Sequence, residues 1–143
     1  NAWDKVFAIN LDASMIICRK FIRGMIKNRW GRIVNISSVV AATGNPGQSN
    51  YVAAKGALNG LTKSMALEVA TRGVTVNSIS PGFIDTDMTR TLNDATKEKI
   101  LANIPMGRMG SGQDIAKVVQ FIIDSDYVTG QTFHVNGGLY LSS

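Results

Sequence analysis

The sequence predicts an α/β fold with a doubly wound parallel sheet, and three observations lead to this prediction. Apolar residues follow a helical period in some segments, whereas β-branched runs suited to buried strands occupy others. The two kinds of segment alternate in the order helix, strand, helix, strand, helices, strand. No repeat or linker interrupts the 143 residues, which suit one domain or part of one. Such alternation is typical of parallel crossover units.

The first helix is predicted from Trp3 to about Asn28. Its apolar residues keep close to one stripe of a 3.6-residue period, namely Val6, Ile9, Ala13, Ile16, Ile17, Phe21 and Met25. Asn10 lies on or beside this stripe, so its amide requires hydrogen-bond partners. We expect Gly31 to end the helix. The β-branched run RIVNIS, from Arg32 to Ser37, is then the first strand.

The second crossover begins in a loop at residues 44–48, which are rich in glycine, proline and asparagine. Ser49 or Asn50 is a suitable N-cap for a second helix that runs to about Thr71, with Gly73 just past its end. The following run, VTVNSIS (74–80), is the second strand. Pro81 and Gly82 are expected to break it.

The last part of the chain supplies two helices and a strand. A helix is expected over residues 93–104, and another from Ser111, which has capping-box spacing to Asp114. The run QTFHV (131–135) is the final strand. Because the chain opens directly in a helix, this sheet would have only three strands, and we expect further strands upstream.

Composition excludes several classes of protein. No apolar run approaches the roughly 20 residues needed to span a bilayer, so the sequence predicts a soluble protein. A single cysteine, Cys18, cannot form an internal disulfide and has no second cysteine at metal-ligand spacing, so no metal site is predicted. The net charge of +5 is scattered except over residues 19–32. That basic segment is typical of a solvated helix face, with a dock for an acidic partner as the alternative and no nucleic acid expected.

The stretch from Ser37 to Lys55 carries the candidate chemistry. Tyr51 and Lys55 are four residues apart, so in a helix their side chains share one face. A tyrosine titrates near pH 10, and a neighbouring ammonium favours its phenolate by up to roughly 4 kcal/mol at 4 Å. Such a tyrosine can protonate a ketone oxygen or take a proton from an alcohol. Ser38, at the carboxyl end of the first strand, can hydrogen-bond the same oxygen.

These motifs together resemble the short-chain dehydrogenase/reductase family, over essentially the whole chain. The resemblance implies a Rossmann-type fold and places the family's catalytic tetrad on Asn10, Ser38, Tyr51 and Lys55. It implies that the tyrosine is the acid/base, the serine positions the carbonyl, the lysine favours the phenolate and binds the nicotinamide ribose, and the asparagine supports a relay water. The family's Pro-Gly-x-[IV]-x-Thr segment matches PGFIDT, so the resemblance implies that Pro81, Gly82, Ile84 and Thr86 line the nicotinamide site.

Within the family, several stretches are most similar to 3-oxoacyl-[acyl-carrier-protein] reductases of fatty acid synthesis: GRIVNISSVV, GNPGQSNYVAAKG, PGFIDTDMT, IPMGRMG and YVTGQTFHVNGG. This similarity implies NADPH as cofactor, a cytoplasmic homotetramer and a substrate carried on acyl carrier protein. Arg29 and Arg72, near the ends of the two long helices, are the candidates for docking that acidic carrier. The alternatives are an acetoacetyl-CoA reductase or another short-chain alcohol dehydrogenase and, in a different class, an inactive remnant that only oligomerises.

The family's glycine-rich dinucleotide fingerprint and its Asn-Asn-Ala-Gly motif do not occur in the chain. Gly107, Gly110 and Gly112 do not replace the fingerprint, because no strand precedes them. We therefore expect residues 1–143 to be the carboxyl-terminal part of one Rossmann domain that carries the tetrad, with the first βαβ units absent. By itself this part is expected to be inactive, because it lacks the groups that bind adenine and pyrophosphate.

Overall fold

The computed structural model describes residues 1–143 and contains one three-stranded sheet. Its strands are β1 (Gly31–Ile36), β2 (Val74–Pro81) and β3 (Thr132–Val135), arranged side by side in that order. Both pairings are parallel, with Gly31 opposite Val74 and Ser78 opposite Thr132. The predicted α/β class and parallel sheet are therefore confirmed.

Seven α-helices surround the sheet: α1 (Ala2–Phe7), α2 (Ala13–Asn28), α3 (Val40–Thr43), α4 (Ser49–Val69), α5 (Asp87–Arg90), α6 (Asp94–Asn103) and α7 (Gly112–Asp124). A π-helical segment, Ala8–Asp12, joins α1 to α2 without a break, and a 3-10 turn, Ala70–Arg72, extends α4. The short helices α3 and α5 were not predicted. None of the helices combines the length and the hydropathy that crossing a bilayer requires.

Helices cover both faces of the sheet. On one face α2 and α4 enclose a core of Cys18, Ile33, Met65, Ala66, Val69, Val74 and Val76. On the other face Arg32 Nε donates to the Ile123 carbonyl of α7 at 3.0 Å, and Phe121 meets Phe133 edge to face. Cys18 is a buried core residue, as expected, and burial raises the pKa of its thiol. This three-layer arrangement is the doubly wound pattern.

At the amino edge of the sheet, the ends of α2 and α4 are held together. The expectation that Gly31 ends the first helix is wrong, because Arg29 takes the left-handed conformation there, with φ 52°, and Gly31 begins β1. Gly73 follows α4 as predicted, with φ 71°. A side chain at Gly73 would collide with the Arg29 carbonyl oxygen, so only glycine allows this close approach.

Two further boundaries differ from the sequence expectations. The second helix begins at Ser49 after Gln48, which provides no side-chain cap, so neither Ser49 nor Asn50 is the N-cap. The second strand continues through Pro81, which pairs with Val135 at the last position of the ladder. The proline carbonyl accepts a hydrogen bond from the Val39 amide at 2.9 Å, and a proline can still accept although it cannot donate.

Candidate active site

The candidate catalytic residues lie at the carboxyl edge of the sheet. Ser38 comes two residues after the end of β1, and the connection through α3 and the loop of residues 44–48 leads to the start of α4 at Ser49. Helix α4 then runs back across β2 toward the amino edge. In open α/β sheets ligands bind outside the carboxyl ends of the strands, so this edge is the expected place for a reactive site.

Tyr51 and Lys55 face each other one turn apart on α4. The Lys55 Nζ lies 5.7 Å from the centroid of the Tyr51 ring. The same ammonium donates a hydrogen bond to the Ile36 carbonyl oxygen at 2.7 Å. Because Ile36 is the last residue of β1, this bond ties the lysine to the strand that leads into Ser38. The structure thus places the phenol and the ammonium on one face, next to the strand end that carries the serine.

Burial lowers the pKa of the Lys55 ammonium below its ordinary value, because desolvation disfavours the charged form. We therefore expect the amine to lose its proton at a lower pH than the lysine of an unstructured peptide. As the pH rises through that lowered value, the positive charge beside the Tyr51 ring disappears. The rate of amine acylation at Lys55, followed against pH by mass spectrometry, measures this titration. A titration at or above that of the reference peptide would contradict the prediction.

Ser37, which the sequence interpretation did not assign to the site, ties the turn of α4 that carries Lys55 to the sheet. Its Oγ donates to the Lys55 carbonyl oxygen at 3.2 Å, and its amide donates to the Ile79 carbonyl at 2.7 Å. The next residue, Ser38, is held locally, since its Oγ accepts from the Val40 amide at 3.3 Å. Successive side chains of an extended chain point to opposite sides, so Ser37 and Ser38 cannot both face α4. This alternation could have distinguished the two serines in the sequence.

A second layer of buried polar groups fixes α4 further along the sheet. Asn35 Nδ2 donates to Thr62 Oγ1 at 3.0 Å, and Ser78 Oγ donates to Asn59 Oδ1 at 3.1 Å. Asn35, Thr62 and Ser78 are all buried, so each bond replaces contacts with water that folding removed. Asn35 and Ser78 interrupt the β-branched runs of β1 and β2, and the sequence interpretation assigned them no role. The helix that carries Tyr51 is therefore bound to the sheet at several points.

Asn10 lies in the π-helical segment, where the sequence predicted an unbroken α-helix. Its Nδ2 donates to the Val6 carbonyl oxygen at 3.0 Å, which gives the amide one of the partners that it requires. The π-helical segment packs against α4. Single π turns inside helices occur frequently at functional sites. The part of Asn10 in a proton relay stays a prediction.

The segment from Pro81 to Thr86 leaves the carboxyl end of β2. Gly82 has no room for a side chain, because a Cβ there would lie 2.8 Å from the Asn136 Cβ. Ile84 forms an isolated parallel bridge with Gly110, and Thr86 caps α5. The segment is thus held in place by contacts on both sides. Its contact with a nicotinamide, through Pro81, Gly82, Ile84 and Thr86, stays a prediction.

Arg29 and Arg72 lie together at the opposite, amino edge of the sheet. Arg29 Nη2 donates to the Thr71 carbonyl oxygen at 3.2 Å, next to Arg72. Neither guanidinium forms an ion pair with a carboxylate within this chain. The structure therefore places both exposed arginines at this edge, and it does not bring them to the site of Ser38, Tyr51 and Lys55.

Comparison with known proteins agrees with this geometry. A family model described as "Enoyl-(Acyl carrier protein) reductase" matches residues 1–140. The chain belongs to the short-chain dehydrogenase/reductase family. The chain is 54% identical over 142 residues to the 3-oxoacyl-[acyl-carrier-protein] reductase FabG of Haemophilus influenzae. It is 52% identical over 142 residues to FabG of Pseudomonas aeruginosa and 50% over 141 residues to FabG of Vibrio cholerae.

These matches cover nearly all of this chain but only part of each relative. The alignments include 98% of the chain and 59% of the Haemophilus protein, and 97% of the chain and 58% of the Vibrio protein. The chain thus spans somewhat more than half the length of the curated relatives that it matches.

Proposed function

We propose that the whole protein reduces 3-oxoacyl-[acyl-carrier-protein] to 3-hydroxyacyl-[acyl-carrier-protein] with NADPH, in fatty acid synthesis. The names of the relatives support this substrate class. The observation that carries the chemistry is the Lys55 ammonium, which lies 5.7 Å from the Tyr51 ring centroid and is bonded to the end of β1. We further propose that the protein works as a homotetramer in the cytoplasm.

In the proposed ketone reduction, each side chain at the carboxyl edge of the sheet has its own role. NADPH, when bound, supplies the hydride that the keto carbon receives. Tyr51 gives its phenolic proton to the keto oxygen, and the Lys55 ammonium stabilises the phenolate that remains. The Ser38 hydroxyl donates a hydrogen bond to the same oxygen and fixes its position. In the reverse direction the Tyr51 phenolate takes the proton of the alcohol.

The residues present fit a nicotinamide nucleotide. A lysine ammonium has three donor hydrogens, and the Ile36 carbonyl occupies one of them at 2.7 Å, which leaves donors for ribose hydroxyls. Gly82 lets the backbone after β2 pack closely against Asn136, which fixes the path of the Pro81–Thr86 segment at the same edge. Lys55 and Tyr51, with Pro81, Gly82, Ile84 and Thr86, are the residues that would hold the nicotinamide end.

The proposed function is tested by the substrate profile of the purified whole protein. Oxidation of NADPH would be followed with acetoacetyl-carrier, acetoacetyl-CoA and crotonyl-carrier, and again with NADH. We expect the highest rate with acetoacetyl-carrier as substrate and NADPH as cofactor. Faster turnover of acetoacetyl-CoA would favour the alternative function, that of an acetoacetyl-CoA reductase. Faster reduction of crotonyl-carrier would favour enoyl reduction, the activity that the description of the matching family suggests.

The carrier is proposed to dock on Arg29 and Arg72. Replacing both with alanine should lower kcat/KM for carrier-bound substrate by about tenfold, since two exposed ion pairs contribute up to about 1 kcal/mol each. Turnover of a short acetoacetyl thioester should stay unchanged, because the arginines lie at the other edge of the sheet from Tyr51. The control is Lys20→Ala with Lys27→Ala, two exposed cations of α2. An equal loss of kcat/KM on the carrier-bound substrate and on the short thioester in the double arginine variant would contradict the docking proposal.

A further inference from the structure

Between β2 and α7 the chain leaves the sheet and returns close to the point where it left. We propose that Asn136 is a positioning residue: its side chain folds the turn of residues 136–140, and this turn holds both ends of the 83–109 segment in place for the nicotinamide. The inference rests on the proposed function and goes beyond it, because it gives a residue that follows β3 a part in the affinity for the cofactor.

The 83–109 segment is closed at its neck by backbone pairing. The Gly110 amide donates to the Phe83 carbonyl at 2.9 Å, and Ile84 pairs with Gly110 as an isolated parallel bridge. Between these residues the chain forms α5 and α6. Ile84 and Thr86, which are proposed to contact the nicotinamide, lie among the first residues of this segment. Their position therefore depends on what holds the segment to the rest of the chain.

The start of the segment is held against the beginning of the 136–140 turn. The Gly82 amide donates to the Val135 carbonyl at 2.9 Å. The backbone of Gly82 also lies so close to Asn136 that a Cβ at Gly82 would be 2.9 Å from the Asn136 Cα. The residue that leads into the segment is thus fixed against the residue that opens the turn.

The same turn holds the far end of the segment. The Met106 amide donates to the Gly137 carbonyl at 3.0 Å. Gly137 has a left-handed backbone, with φ 64°, and a side chain there would lie 2.8 Å from the Ile104 Cγ2. Ile104 is the one buried residue of the 83–109 segment. One short turn therefore contacts the chain at both ends of the segment, and at the far end it does so through the residue that anchors the segment most deeply.

The side chain of Asn136 gives this turn its shape. Its Oδ1 accepts from the Gly138 amide at 3.0 Å, and its Nδ2 donates to the Tyr140 carbonyl at 3.1 Å. An asparagine that bonds the backbone two residues on takes the place of a backbone turn. The Tyr140 ring packs against the His134 ring, with centroids 4.8 Å apart, so the turn folds back over β3. Removal of the Asn136 side chain would leave the turn without both hydrogen bonds.

A turn that fixes both ends prepares the segment for the cofactor. Without the Asn136 side chain the segment would sample more conformations, and NADPH would have to order it on binding. The lost conformational entropy opposes binding, so the affinity for NADPH falls. The hydrogen bonds that hold Ser38 and Lys55 do not involve the turn. Once NADPH is bound, ketone reduction should therefore keep its rate.

The test compares Asn136→Ala with the unmodified whole protein. Binding of NADPH is titrated by its fluorescence in the absence of substrate, and steady-state constants are measured with a short acetoacetyl thioester. We expect the Kd and the KM for NADPH to rise about tenfold, while kcat changes by less than about twofold.

Hydrogen exchange of the cofactor-free protein supplies a readout that does not depend on activity. Amides of α6 should exchange faster in Asn136→Ala than in the unmodified protein, because the turn no longer holds Ile104 and Met106 in one place. Amides of α4 should exchange equally in both proteins. Addition of NADPH should restore the protection of α6.

Three further variants act as controls. Asn136→Asp keeps an acceptor for the Gly138 amide, so its Kd for NADPH should rise less than that of the alanine variant. Gly137→Ala keeps the Asn136 side chain but displaces Ile104, so it should weaken NADPH binding by the same route. Asn28, exposed at the end of α2, makes no side-chain hydrogen bond, and Asn28→Ala should leave every constant unchanged.

The proposal is overturned if Asn136→Ala binds NADPH as tightly as the unmodified protein. A lower kcat with an unchanged KM for NADPH would also overturn it, because that result indicates only a smaller amount of folded enzyme. If Asn136→Ala does not fold, unchanged NADPH affinity in Gly137→Ala would overturn the proposal and weaker binding would support it. Absence of NADPH binding by the unmodified whole protein would instead show that the proposed function is wrong.

Discussion

We expect Tyr51→Phe in the whole protein to lower kcat for ketone reduction by about 10²- to 10⁴-fold, the usual contribution of a general acid. Phenylalanine keeps the ring beside the Lys55 ammonium but has no proton to give to the keto oxygen. The KM of the ketone should change little, because the ring still fills the same space. Steady-state rates of NADPH oxidation with a short acetoacetyl thioester measure this effect without any contribution from carrier docking.

The chain provides a matched control for this substitution. Tyr127 is 98% exposed and lies in the loop between α7 and β3, so Tyr127→Phe removes a phenol of no proposed function. We expect this control to keep the activity of the unmodified protein. If Tyr51→Phe retained a rate comparable to that of Tyr127→Phe, the assignment of Tyr51 as the proton donor would be wrong.

The second large effect is expected for Lys55→Met. Methionine has a side chain of similar length and preserves packing, but it removes the ammonium beside the Tyr51 ring and the bond to the Ile36 carbonyl. Loss of charge-assisted hydrogen bonds, at about 1.5–3 kcal/mol each, should lower kcat/KM for NADPH by about 10²-fold or more. Separate measurements of kcat and of the KM for NADPH would show losses in both, because the lysine contacts both phenol and ribose in this mechanism.

Lys63→Met is the control for that experiment. Lys63 lies two turns further along α4, is exposed and makes no side-chain hydrogen bond, so its replacement changes charge and hydropathy on the same helix without touching the site. We expect it to leave both constants unchanged. If Lys55→Met had an unchanged kcat, the ammonium would take no part in ketone reduction. Its role would then be limited to the hydrogen bond with the end of β1.

Local signals in the sequence predicted much of the fold and the relation between Tyr51 and Lys55. The strands follow from short β-branched runs, and α7 begins after Ser111 with the capping box that its spacing to Asp114 indicated. Asn93 is the N-cap of α6, where its side chain accepts a hydrogen bond from the Thr96 amide. The shared face of Tyr51 and Lys55 follows from the geometry of any helix. These features depend on residues within one turn or one strand, so the chain alone is sufficient to predict them.

Features that depend on distant contacts were missed. Arg29 ends α2 in a left-handed conformation because the chain must turn close to Gly73, more than forty residues away. Gly31 belongs to β1 because it pairs with Val74 of β2, and a Cβ there would meet the Met25 side chain at 2.6 Å. The bond from Ser37 to the Lys55 carbonyl requires the packing of α4 on the sheet. Such positions are determined by tertiary contacts, for which local patterns carry no signal.

The central claim is that a phenol and an ammonium on one turn of α4 act on a ketone oxygen at the carboxyl edge of the sheet. The most direct measurement is a crystal structure of the whole protein with NADP and a 3-hydroxyacyl thioester. We predict that the hydroxyl oxygen of the product lies within hydrogen-bond distance of both Tyr51 and Ser38, with Lys55 Nζ on the nicotinamide ribose. A product hydroxyl bound away from Tyr51, or a nicotinamide bound at the edge of Arg29, would contradict the account.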